Sequence, residues 1–264
     1  MALSPRKRAR IARGVQYAVL AALVAGFLVV ADLRTLQTAF LDWEIARSMF
    51  PDALTVALKN TALYTASGFA FGLALGMVLA LMRLSSVGPY RWLATGVIEF
   101  FRGIPALVVF IALGFGVPLA FPGYGIPGGM LGTVTLALGL VGGAYMAETI
   151  RAGIQAVPKG QMEAARSLGM SYSRAMMSIV VPQAFRIILP PLTNELILLT
   201  KDSSLMYVLG LSYYDQELTK FGREQMNSTN SLTPLIVVGL CYLIITVPLS
   251  ILVRRLEARA GKAH

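Results

Sequence analysis

The sequence predicts an all-α membrane protein of six transmembrane helices with both termini on the cytoplasmic side. Three observations carry this. Six stretches are apolar over about the 20 residues that a helix needs to cross the hydrocarbon core. Charged residues make up 14% of the chain and hydrophobic residues 56%, whereas a soluble domain carries about 25% charged. The basic residues fall into short clusters in alternate connections, as the positive-inside rule requires.

The six stretches run roughly over 15–31, 54–82, 92–121, 130–152, 192–210 and 232–253. A backbone in lipid must satisfy its own hydrogen bonds, so runs of this length are helices. The first follows Arg6, Lys7, Arg8, Arg10 and Arg13. It reads as an uncleaved anchor rather than a secretory signal, because its apolar run is long and no strong Ala-x-Ala site follows. With the N-terminus inside, 17 of the 23 Lys and Arg residues fall on the inner side and 5 on the outer, and Lys201 lies within a span. The net charge of +10 is therefore a matter of topology rather than of nucleic-acid binding. Trp43 and Trp92, near expected membrane edges, read as interface anchors.

Several chemistries are excluded. The one cysteine, Cys241, lies in an apolar run, and the one histidine is the terminal His264. No Cys/His metal set and no His-based triad can be assembled from these. No Gly-x-x-x-x-Gly-Lys-Ser/Thr loop occurs, so any nucleotide must be held by another subunit.

The stretch 153–190 is expected to be the longest cytoplasmic connection, amphipathic rather than disordered. Within it Pro158 permits a helix start. The run Glu163, Ala164, Ala165, Arg166, Ser167, Leu168 has high helix propensity, and Gly169 offers a stop. Small residues at Ala164 and Ala165 would allow a close approach, and Glu163 could cap the helix or pair with a basic partner.

This loop carries a motif. Glu163-Ala164-Ala165 is followed after three residues by Gly169, then after nine by Ile179, then by Val181-Pro182. The spacing resembles the EAA signature of ABC importer permeases, with Val181 in place of a leucine. FFRGIPALVVF (100–110), YMAETIRAGI (145–154), VPQAFRIILPPL (181–192) and TKDSSLMYVLGL (200–211) resemble polar amino acid permeases in particular. Ile104 stands where threonine is common. The likeness covers about 54–255. It implies a permease core over 53–264, preceded by a segment 1–52 made of basic N-terminus, first helix and outer connection. It also implies a bacterial inner-membrane importer of polar amino acids of the glutamate, glutamine, aspartate or basic type. The chain itself would bind no cofactor and no metal. Its implied partners are an ABC ATPase dimer carrying ATP and Mg, a second permease subunit, and an extracytoplasmic amino-acid-binding protein. Glu163, Ala164, Ala165 and Gly169 would dock in the ATPase.

Candidate solute contacts come from polar groups that lipid would penalise. Lys201 and Asp202 are expected near the middle of the fifth helix, where each charge costs about 2.5–3.5 kcal/mol on insertion scales. Asn194 lies seven residues before Lys201 and Glu195 seven before Asp202, so each pair shares roughly one face. An amino acid presents an ammonium and a carboxylate, so side chains of both signs could find a partner. A structural pair at a permease–permease interface is the equal alternative. Ser203 and Ser204 are weaker candidates, since serine serves helix packing. Glu148 can pair with Arg151 three residues on, and Arg102 reads as a snorkelling or loop-fixing residue. Gly72 and Gly76 are spaced for close helix contact. A self-sufficient ion-driven carrier is the competing reading, but it gives no reason for the Glu-Ala-Ala loop.

Overall fold

The computed structural model describes residues 5–260, and every regular element among them is helical. In order these are α1 (Pro5–Val30), α2 (Leu33–Phe40), α3 (Trp43–Ser48), α4 (Lys59–Leu84), α5 (Gly88–Gly103), α6 (Ala106–Ile111), α7 (Val117–Ala120), α8 (Gly129–Ala156), α9 (Lys159–Ser167), α10 (Tyr172–Ala175), α11 (Val181–Asp202), α12 (Leu218–Thr229) and α13 (Thr233–Ala260). π-helical turns lead into α4 (Ala53–Leu58), link α6 to α7 (Ala112–Gly116) and link α10 to α11 (Met176–Val180); a 3₁₀ turn, Ser203–Leu209, follows α11.

Among the described residues, five helical segments are long and apolar enough to cross a membrane: Arg10–Val30, Ala53–Leu84, Gly129–Ala156, Tyr172–Leu209 and Thr233–Ala258. A sixth crossing exists only if α5 and the segment Ala106–Ala120 are counted together, and these meet at 102°. The expected straight span over 92–121 is thus a broken one. Its break is at Ile104, which is extended (φ −91, ψ 136). The ring of a following proline clashes with a helical predecessor, and here Pro105 is the N-cap from which α6 starts.

A second difference concerns the connection expected over 153–190. It holds the end of α8, then α9, then a continuous helical segment that already begins at Tyr172. Arg174 and Arg186 dilute the hydropathy of that segment's first half. Lys201 and Asp202 accordingly sit not at the middle of a helix but at the last turn of α11, against the 3₁₀ turn.

The core is the crossing of α4 with α8. Gly72 and Gly143 approach so closely that a Cβ on either would lie 3.1–3.2 Å from the other helix's backbone. One turn on, a Cβ on Gly76 would be 2.9 Å from the Gly143 carbonyl oxygen. Without a hydrophobic driving force between helices in lipid, such backbone contact is what holds them. α11 packs on the same helix through Leu199, which fills the space above Gly142. A second apolar cluster (Met49, Ala53, Ala57, Leu218, Phe221, Val237, Val238, Cys241) joins α12 to the first half of α13 at the end of the molecule opposite α9.

Candidate functional site

The break between α5 and α6 opens a cavity of about 510 Å³ against α8 and α11. Arg102, Gly103, Ile104, Pro105 and Ala106 form one wall, Val141 and Tyr145 of α8 a second, and Glu195, Leu198 and Asp202 of α11 the third. The i, i+3, i+7 spacing of the α11 residues puts them on one helix face. The Arg102 guanidinium lies 5.5 Å from the centre of the Tyr145 ring, a cation–π distance, and 3.8 Å from the Glu99 carboxylate. The cavity therefore presents one cation and two carboxylates within largely apolar walls.

The expected pairing of faces holds in the geometry. Glu195 and Asp202 both line the cavity, whereas Asn194 and Lys201 are both left uncovered on the other face. Ser203 is buried and donates to the Thr200 carbonyl oxygen at 2.8 Å, as a packing serine does; Ser204 is half-buried. Neither lines the cavity. Arg102 is the residue whose place the sequence reading missed. The available signal was its position three residues before a proline in an otherwise apolar run.

Glu148 stands apart. Its carboxylate takes a hydrogen bond from Arg83 of α4 and bonds of 2.8 and 3.2 Å from Arg151 on its own helix. Arg83 also lies 3.9 Å from Glu99. Glu148 is thus a tie between α4 and α8 rather than a cavity group.

The α9 loop is built as a helix with a designed stop. Val157 is extended ahead of Pro158, and α9 follows at once. At the other end Met170 N–H donates to the Ala165 carbonyl oxygen (3.1 Å) and Gly169 N–H to that of Arg166 (3.0 Å). This is the Schellman arrangement, which requires a left-handed residue; Gly169 supplies it at φ +83. Glu163, Ala164 and Gly169 are exposed. Ala165 corrects the sequence reading: at 2% exposure it faces this chain's own body and offers no outward surface. Leu168, 84% exposed, is the apolar group that α9 does present.

The family model for binding-protein-dependent transport system inner membrane components matches residues 72–262. The probable glutamine ABC transporter permease protein GlnM of Bacillus subtilis (strain 168) is 42% identical over 222 residues, which cover 82% of this chain and 95% of that one. The arginine transport system permease protein ArtQ of the same organism is 37% identical over 188 residues, covering 71% and 83%. A crystal structure described as an amino acid ABC transporter with histidines superposes with a TM-score of 0.72 at 34% identity, over 83% of this chain and 99% of the other. An inward-facing MetNI methionine transporter chain agrees in fold, with a TM-score of 0.64 at 19% identity, over 80% of this chain and 97% of that one.

Proposed function

This chain belongs to the binding-protein-dependent transport system inner membrane component family and is a permease subunit of the amino acid ABC importer class; from that premise we propose that its broken-span cavity receives the backbone of a polar amino acid. The relatives' names include glutamine and arginine, whose shared charged groups are the α-ammonium and the α-carboxylate. A cavity with one guanidinium opposite two carboxylates suits that shared part. Arg102 grips the carboxylate as a bidentate partner, and Glu195 and Asp202 hold the ammonium. Side-chain choice is left to the extracytoplasmic binding protein.

ATP and Mg belong to separate ATPase subunits. The α9 loop (Glu163, Ala164, Leu168, with Gly169 fixing its exit) is the surface on which they act. A second permease chain completes the translocation path. The strong bias of Lys and Arg puts both termini and α9 in the cytoplasm of a bacterial inner-membrane protein, with the core over 53–264 and 1–52 as a leading addition.

The observation that carries this reading is that Arg102, Glu195 and Asp202 line one cavity. The test is ATP-driven uptake into proteoliposomes holding the co-purified ATPase and loaded binding protein. Arg102→Gln lowers uptake about tenfold or more, the loss of one charge-assisted partner, at unchanged complex yield. Lys201→Gln, off the cavity, stays within about twofold. Equal uptake by both variants removes the cavity from the path.

A further inference from the structure

Between the first span and α4 lie two short helices that the transport reading does not use. We infer that α2 and the start of α3 form an amphipathic collar seated in the headgroup layer of the bilayer, on the face opposite α9, and that its ligand is the lipid surface itself.

Two independent observations fix the level of α2. The first is the chain before it: from Arg10 to Val30 α1 is apolar and has no buried residue in its span window, and α2 begins three residues later at Leu33. The second is its anchorage. Leu232 N–H donates to the Ala39 carbonyl oxygen at 2.7 Å, the Ser231 hydroxyl to the same oxygen at 3.0 Å, and Asp42 N–H to the Thr233 hydroxyl at 3.0 Å. Thr233 is the first residue of the span Thr233–Ala258. One span ends and another begins at the height of α2, so this helix lies where hydrocarbon gives way to headgroups. The side follows from the count of crossings: α9 precedes the span Tyr172–Leu209, and α13 starts after it.

The residues agree with that level. At 100° per residue Leu33, Leu36 and Phe40 fall on one face of α2, and Arg34, Thr35 and Thr38 on the other. Leu36 and Ala39 are half-buried against the protein. Leu33 (58% exposed), Leu41 (63%) and Trp43 (75%) are not. An apolar rim of leucine and tryptophan beside a polar face with an arginine is the composition of an interfacial helix, and indole prefers that layer. The fold also prevents the collar from standing up into the lipid. Asp32 caps α2 by accepting from Arg34 and Thr35 N–H at 3.0 and 3.2 Å, and Asp42 caps α3 through Glu44 and Ile45 N–H at 2.9 and 3.2 Å. Each carboxylate stops one helix from merging with the segment before it, so the chain turns twice instead of continuing straight.

The test uses the intrinsic fluorescence of Trp43. The chain has two tryptophans; Trp92→Phe leaves Trp43 as its only one, and the signal of the matching complex carrying both Trp43→Phe and Trp92→Phe is subtracted to remove the emission of the co-purifying subunits. The full chain is reconstituted with its co-purifying subunits in phosphatidylcholine–phosphatidylglycerol nanodiscs. Quenching is compared for lipids carrying a nitroxide high on the acyl chain, lipids carrying it near the chain end, and aqueous iodide. The shallow nitroxide quenches Trp43 at least about twofold more than the deep one, and iodide quenches it at least about twofold less than free tryptophan, because the ring sits some 5–10 Å into the headgroup boundary. Full iodide quenching without nitroxide quenching places the collar in water and overturns the inference. Weak quenching by all three means that a protein partner covers it, and overturns it too, as does stronger quenching by the deep label. If Trp92→Phe does not assemble, the same three ratios are read as the difference between the unaltered chain and Trp43→Phe.

Discussion

The fully buried Glu217 carboxylate accepts a hydrogen bond from the hydroxyl of half-buried Tyr242 at 2.9 Å. The same carboxylate caps α12, accepting from Thr219 and Lys220 N–H at 2.5 and 2.7 Å. One side chain therefore fixes both the start of α12 and its seat on α13. Nearby, Leu218 N–H donates to the Thr61 hydroxyl (3.1 Å) and Asn60 to the carbonyl oxygens of Tyr214 and Gln216. The segment 214–218 is sewn to the first turn of α4 as well.

This seat is pH-dependent. Burial pushes the Glu217 carboxyl up to about 7, against the hydrogen bonds from Thr219, Lys220 and Tyr242 that lower it. Its ordinary value is 4.5. The folded state thus binds the proton more tightly than the unfolded one, and stability falls as the pH rises from the lower value through the higher. The melting temperature of the purified chain should drop between about pH 5 and about pH 8, and Glu217→Gln should flatten that part of the curve. Parallel curves for the two proteins would remove Glu217 as the cause.

The α4–α8 crossing tolerates no side chain at Gly76. A Cβ there meets the Gly143 carbonyl oxygen at 2.9 Å and the Met146 Cβ at 3.0 Å. Gly76→Leu must push the helices apart, and overpacking of this kind costs about 1–3 kcal/mol or more. Thermal aggregation followed by size exclusion should show a clear loss of folded chain. Gly96→Leu is the control, since a Cβ at Gly96 has open space around it and its melting point should stay near that of the unaltered chain.

On α9 the two apolar residues should fail differently. Leu168 points outward and Ala165 inward. Leu168→Asp should weaken ATPase association about tenfold, some 1.4 kcal/mol, with no change in the chain's own melting point. Ala165→Trp should lower the melting point first. Gly169→Val forces a β-branched residue to φ +83, a strain of about 1–2 kcal/mol, so it should loosen the turn. Pull-down and melting curves on all three variants separate these outcomes; a Leu168→Asp protein that binds ATPase normally would leave α9 without its docking contact.

Glu148→Gln should destabilise through what it leaves behind, two arginines facing each other without their shared carboxylate. Breaking one partner of a covered ion pair is worse than removing both. Adding Arg83→Met to Glu148→Gln should therefore recover part of the loss, a coupling of about 0.5–3 kcal/mol in a double-mutant cycle. Strictly additive effects in melting curves would show that the tie does not operate.

Much of this was legible from residue order, and the misses have a common cause. Hydropathy found the spans, and the seven-residue spacing found that Glu195 and Asp202 share a face. Hydropathy carries no direction, so an apolar window ran straight across Ile104–Pro105 where the helix axis turns by 102°. Once that turn was lost, Arg102 read as a snorkelling or loop-fixing residue rather than the wall of a cavity. The same blindness shortened the fifth span: Arg174 and Arg186 read as loop, yet a helix of 38 residues from Tyr172 to Leu209 measures about 57 Å and outruns a hydrocarbon core of about 30 Å. Ala165 was assigned its face from residue size alone, and which way a small residue points is decided by its neighbours in space.

The π turn at Met176–Val180 acts as a phase setter. A turn of this kind accommodates one residue more than the α-helical ladder, and one residue is about 100° of rotation. By absorbing that residue within one wide turn, it holds the azimuth of both cavity carboxylates fixed relative to α10 at the start of the rod. Two ends of one shaft can then be tuned without altering any residue at either end. Deleting Ser178 would remove the residue that the wide turn absorbs and leave Glu195 and Asp202 on the cavity wall, whereas one residue inserted in the α-helical stretch beyond it would swing them off by about 100°.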